Sequence, residues 1–260
     1  MKGWSYLLAL VGSGLLAGLA QAGNAAPVSI EIVAPDGRTF REFPVATRDG
    51  SLRSYLQAEK GARYQVRVHN PTGERLGLVI AVDGRNIING QKSDLARGEP
   101  MYVLAGWDTQ SYAGWRANLA AINEFYFSDW TDSYAEAFGD RSARGVIAVA
   151  VYREDTPQPV YQPYEKEPRA AEDSQPAAAP PTARAGSSRD KSAGTGYGER
   201  RADRAVEVEF VARADADSRH FIKYEWRDTL CRKHVLDCGE QNRFWDESTL
   251  DFTPPPPRTR

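Results

Sequence analysis

Between residues 64 and 154 the chain breaks into short apolar, β-branched runs separated by turn residues, and that spacing leaves little room for anything but antiparallel sheet. Tyr64, Val66 and Val68 alternate with Gln65, Arg67 and His69, which puts the apolar side chains on one face of a strand. Asn70-Pro71-Thr72-Gly73 then signals a turn. Residues 76–82 are apolar almost throughout, as expected for a strand covered on both faces, and Asp83-Gly84-Arg85-Asn86 turns the chain again. Shorter strand candidates follow at 101–104, 124–127 and 145–152. Turns about every ten residues describe a mainly β protein, an antiparallel β-sandwich, rather than a βαβ architecture.

The flanks add to this frame. Val28, Ile30 and Ile32 alternate with Ser29 and Glu31, and Asp36-Gly37 is a favoured turn pair, so residues 28–43 are predicted to form a hairpin. Residues 51–60 read as a short helix or an irregular crossing. Farther upstream, Lys2, an apolar run over 7–19 and Ala20-Gln21-Ala22 make a secretory signal peptide over residues 1–22. The run is shorter than the about 20 apolar residues of a transmembrane helix, so no membrane span is expected after signal removal. A periplasmic or secreted location follows. The formal charge of −2 offers no basic face for nucleic acid.

Composition changes after Glu154. Residues 155–198 are rich in Pro, Ala, Ser and Gly and have almost no large aliphatic side chains to offset about 1–2 kcal/mol of backbone entropy per ordered residue. They read as a long disordered insertion, with Gly194-Thr195-Gly196-Tyr197-Gly198 as a flexible joint where the chain re-enters the fold. Val206, Val208 and Phe210, then Ile222, Tyr224 and Trp226, alternate with charged residues and predict two more strands. Two strands alone are marginal in water, so residues 199–253 are expected to complete the sandwich begun by 23–154, before a Pro-rich tail at 254–260.

Chemistry-bearing residues are sparse. Cys231 and Cys238 are the only cysteines, and an even count in an exported chain favours a disulfide. Neither helix nor strand brings positions seven apart within reach of such a bond, so the chain must bend back near Lys233-His234-Val235. His69, His220 and His234 lie far apart and match no zinc or triad spacing; no metal, cofactor or catalytic residue is assigned. Asp83, Asp129, Asp132 and Glu136 keep a glycan-processing enzyme open as an alternative. Trp107, Tyr112, Trp115, Phe125, Tyr126, Phe127, Trp130 and Tyr134 crowd one region with Asp108, Arg116 and Asn118. If exposed, Trp107, Trp115 and Trp130 with Arg116 would stack on and hydrogen-bond a sugar; if buried, the same rings fill the core, at about 150–250 Å² each, and that is the favoured reading.

Tyr64-Gln65-Val66-Arg67-Val68, Val82-Asp83-Gly84-Arg85-Asn86, Gly114-Trp115-Arg116, Tyr134-Ala135, the run at 145–151 and Tyr224-Glu225-Trp226-Arg227 together resemble a group of uncharacterised exported bacterial proteins. The resemblance covers most of the chain after residue 22. It implies a place in the bacterial envelope and one interrupted domain, and it carries no activity. The expected protein binds or scaffolds rather than catalyses, with an envelope protein or a glycan as partner. A carbohydrate-binding module is the first alternative, and recruitment of a partner by strand addition at an exposed edge is another.

Overall fold

A computed structural model describes residues 28–155 and 192–238; the expected signal peptide, most of the expected insertion and the Pro-rich tail lie outside the described residues. In chain order the strands are β1 (Ser29–Val33), β2 (Glu42–Val45), β3 (Leu52–Ala58), β4 (Arg63–His69), β5 (Leu76–Val82), β6 (Arg85–Asn86) and β7 (Tyr102–Leu104). They continue as β8 (Thr109–Tyr112), β9 (Gly114–Asn118), β10 (Ala121–Asp129), β11 (Val146–Arg153), β12 (Ala193–Thr195), β13 (Arg200–Ala202) and β14 (Ser218–Trp226). Two short helices, α1 (Tyr134–Ala137) and α2 (Arg227–Arg232), follow β10 and β14.

The strands form two sheets. One joins β1, β4, β10 and β12, with β8, β9 and β13 alongside; the other runs β2-β3-β14-β11-β5-β6, with β7 beside β5. Ile32, Val66, Phe125 and Phe127 of the first sheet share a core with Leu56, Ile80, Val149 and Ile222 of the second. β5 is buried on both faces, because Val79 and Ala81 point outward into a second apolar layer with Ala148, Tyr152 and Leu95. The continuous apolar run at 76–82 has this cause.

β14 inserts between β11, antiparallel to it, and β3, parallel to it. The chain beyond residue 192 therefore supplies an interior strand of the second sheet. Residues 51–60, read from sequence as a helix or crossing, are instead mostly strand β3, whose ladder partner lies at His220–Trp226, too far along the chain for local pattern to show. The hairpin expected at 28–43 forms but is short, its arms pairing antiparallel only at Val33 and Thr39 and their neighbours. Phe40 donates its main-chain N–H to Ile32 and buries its ring edge-on against Phe127, 5.4 Å away, after which β2 crosses to the other sheet and pairs with β3.

Two further expectations are corrected. The alternating stretch at 205–210 joins no sheet: Ala205 bonds to Leu119 of the β9–β10 turn, while Ala212 bridges Glu154 and Arg213 bonds to Arg153 of the opposite sheet, so the stretch is anchored to both sheets and paired with neither. The Gly194–Gly198 joint is a close-packed crossing. A Cβ on Gly194 would sit 2.7 Å from Ser133 Cβ, and one on Gly196 would overlap the Tyr126 ring. These glycines permit close approach, which is a packing role rather than a flexible one.

Cys231 and Cys238 form a disulfide with a Cα separation of 5.5 Å. The chain turns back at His234, whose φ of +55° is left-handed and whose N–H bonds to Cys231 O. By chain entropy alone, closing so short a loop stabilises by about 2.5 kcal/mol. Reduction under native conditions is expected to lower the unfolding free energy by about that amount, and a denaturant midpoint unchanged by reductant would contradict it.

Candidate functional site

The candidate site residues divide by burial. Trp130 is fully buried and Trp115 nearly so. Trp130 Nε1 donates to Glu136 Oε2 at 2.6 Å, and Arg144 lies over its ring at 5.2 Å. Trp115 Nε1 donates to Gly196 O, with its ring edge-on to Phe125 at 5.3 Å. Arg116 is a strut: its guanidinium bonds Asp203 Oδ1 at 2.5 Å and Asp203 O at 2.7 Å, and its Nε donates to Tyr102 OH. None of these three presents a sugar-facing surface. Trp107 is open to solvent, with 71% of its surface exposed.

Trp107 stands on a corner built by two turns. Asn70, fully buried, uses its amide to clamp them: Nδ2 donates to Glu74 O and Ala105 O, and Oδ1 accepts from the Thr72 N–H and hydroxyl. The main chains then interlock, Trp107 N–H to Thr72 O at 2.8 Å and Asn70 N–H to Asp108 O at 2.9 Å. Gly106 is needed for the contact, because a Cβ there would lie 2.5 Å from Gly73 O. The Trp107 indole rests on Gly73, its Nε1 3.2 Å from where a Cβ would be.

Trp107 holds a left-handed φ of +61°. For a bulky residue this conformation is unfavourable by about 1–2 kcal/mol, and such strain at an exposed position is a pointer to function. Beside it, Asp108 accepts from Thr109 N–H at 2.7 Å and from Gln110 Nε2 at 3.3 Å, and His69 Nδ1 meets Thr109 Oγ1 at 2.9 Å. Thr109, Gln110 and Ser111 are exposed along β8. The corner thus offers one aromatic face next to hydroxyl, amide, imidazole and carboxylate groups.

A second aromatic outcrop was missed from sequence. The buried Trp115 ring meets Tyr134 at 4.4 Å, and Tyr134 in turn meets the half-exposed Tyr197 and Phe138. Arg85 caps Phe138 at 4.3 Å and Asn123 Nδ2 donates to Tyr197 OH, so this outcrop reads as the core reaching the surface. A cleft of about 450 Å³ also opens on the outer face of the second sheet, floored by Ala81 and Ala148 and edged by Leu95, Asp94, Phe221 and Arg219.

Three of the four carboxylates singled out for glycoside chemistry are held structurally, while Asp132 is exposed. Asp129 pairs with Lys60 at 2.5 Å, and Glu136 holds Trp130 and Arg141. Asp83 has no solvent exposure. It sits in the two-residue turn between β5 and β6, with left-handed φ at both Asp83 and Gly84, a turn that suits this dipeptide. Its carboxylate accepts from Gly145 N–H at 2.7 Å, Tyr224 OH at 2.7 Å and Thr195 N–H at 2.8 Å. Thr195 Oγ1 is also within 2.8 Å of Tyr64 OH and 2.7 Å of Tyr224 OH. The network ties both sheets to the chain that returns at β12. Among the described residues, no group of His, Cys, Asp or Glu is arranged to hold a metal, and no helix is long and apolar enough to cross a membrane.

Fold and corner together define a two-sheet β-sandwich carrying a solvent-facing tryptophan at one end. Comparison with protein families, curated proteins and solved structures finds no match to this chain.

Proposed function

We propose that this is an exported, non-enzymatic binding protein of the bacterial envelope, and that Trp107 is the ring it stacks on a glycan. The strained, exposed indole on its Gly73–Gly106 seat carries the reading, because holding a large aromatic ring in water in an unfavourable conformation costs stability unless something uses it. The polar groups of Thr109, Gln110 and Asp108 supply the hydroxyl partners that give a sugar site its orientation.

Trp107→Gly separates binding from folding. Glycine takes the left-handed φ freely and little burial is lost, so stability should not fall and should rise by about 0.5–1 kcal/mol, the relieved strain less the entropy cost of glycine. Affinity for envelope polysaccharide or peptidoglycan fragments, read by calorimetry, is expected to disappear, whereas Tyr197→Ala should leave it intact. Wild-type protein that binds no glycan in the panel, or a variant that binds as well as wild type, would overturn the assignment.

A further inference from the structure

The alternating stretch that the sheets leave out is the most unusual feature of the surface. Residues 203–211 run without turn or bend, anchored at one end by Asp203 N–H to Ala120 O and Ala205 N–H to Leu119 O. At the other end Asp155 N–H bonds to Val211 O, and the Phe210 ring covers Gly77, where a Cβ would meet it at 2.6 Å. Between the anchors, the main-chain groups of Val206, Glu207 and Val208 make no hydrogen bond among the described residues. Val206 is 81% exposed and Val208 54%. An open row of donors and acceptors with apolar side chains at alternate positions is what a sheet edge presents to an incoming strand.

We propose that residues 205–210 are a docking strand for an extended segment of another protein, one in which Lys or Arg alternates with branched apolar residues. Charge selects this occupant. In an extended strand the alternation puts Val206 and Val208 on one side and Glu207 and Glu209 on the other. A second copy paired antiparallel about Val208 would set Glu207 opposite Glu209 twice, and a parallel in-register copy would oppose each glutamate to itself; like charges directly opposed weaken a ladder. A partner with cations at those positions reverses the sign, and its apolar residues cover Val206 and Val208. Arg75 does not neutralise the glutamates, since its guanidinium is bound to Glu154 at 2.8 Å and to the main-chain oxygen of Glu209. The proposal rests on the unbonded main chain and the charge of residues 205–210 and not on Trp107, so it stands whether or not a glycan binds there.

The test titrates the ¹⁵N-labelled protein with an end-blocked peptide of alternating valine and lysine and follows amide hydrogen exchange. The Val206, Glu207 and Val208 amides are expected to exchange fast in the free protein and to slow by at least about tenfold at saturation. A peptide with proline at every second position, which cannot complete the ladder, should not protect them. Glu207→Lys with Glu209→Lys is expected to weaken the lysine peptide by about tenfold and to favour a valine–glutamate peptide instead. Val208→Pro should abolish protection while leaving the melting temperature unchanged, because the position is exposed and unbonded. Equal binding of the proline peptide would reduce the contact to charge alone and overturn the docking strand. Protection that rises with protein concentration in the absence of peptide would overturn the choice of partner in favour of a second copy.

Discussion

Asp83→Ala is expected to lower the unfolding free energy by about 3 kcal/mol at neutral pH. Three buried donors, the N–H groups of Gly145 and Thr195 and the hydroxyl of Tyr224, lose their acceptor, at about 1–3 kcal/mol each. Removing a buried charge offsets part of that loss. Alanine must also hold a φ of +51°, which aspartate tolerates better. Asp83→Asn keeps the volume and one acceptor oxygen but turns an NH₂ toward a donor, so it should fall between wild type and alanine. Urea denaturation of the three proteins gives the order directly, and an alanine variant as stable as wild type would mean that the network does not hold the sheets together.

The same carboxyl has a pH signature. Burial pushes Asp83 up to about 6, against the opposing pull of its three hydrogen bonds, from an ordinary 3.8. The native state therefore keeps a proton that the unfolded chain has released, and this contribution is full below about pH 4 and lost as pH rises through 6. His220, buried in β14, moves the other way: burial lowers it from 6.5 to about 4, so its contribution is full above about pH 6.5 and lost as pH falls through 4. Each shift is worth about 3 kcal/mol, so the two nearly cancel in one pH window. Asp83→Asn should tilt the stability profile upward with pH between 4 and 6.5, relative to wild type, and His220→Gln should tilt it downward. Parallel profiles for all three proteins would rule out both shifts.

Trp130→Ala is expected to have the largest effect, a loss of about 4 kcal/mol, in the range for emptying a fully buried aromatic site. Its consequence extends beyond the cavity. The main-chain N–H of Trp130 bonds to Ser192 O at 2.7 Å and Gly194 packs on the same main chain, so relaxation of that main chain into the cavity loosens both, and the lost ring no longer fixes Glu136, which in turn binds Arg141. The variant should therefore expose the returning segment at 192–198 to protease before global unfolding, while Trp107→Gly should not. Trp130→Phe keeps most of the apolar volume but orphans the Glu136 bond and is expected to cost about 1–2 kcal/mol. If Trp130→Ala instead abolished ligand binding without a change in stability, Trp130 would be a contact residue and not core.

Tyr64, Val66 and Val68, the run at 76–82 and the run at 146–151 declared their strands and their inward faces in the sequence because alternation and β-branching are local properties. The Cys231–Cys238 bond and the bend between them were legible for a similar reason, since seven residues allow few geometries. What escaped local reading depended on contacts between distant parts of the chain. Leu52–Ala58 is a strand because β14 lies beside it, and Val206 and Val208 are not in one because their anchors belong to different sheets.

The candidate site follows the same division. Trp107, Trp115 and Trp130 are equivalent by composition, and nothing along the chain says which ring faces water. The sequence by itself determined that this protein would be a β-sandwich with an aromatic-rich core, because periodicity and turn residues set each strand and its apolar face. Only the tertiary structure decided that Asn70 would clamp two turns 35 residues apart to hold Trp107 outward, and that Asp83 would meet Thr195, 112 residues away, in the interior. Burial is a property of the closed fold, and a residue's exposure is settled by what the rest of the chain places over it.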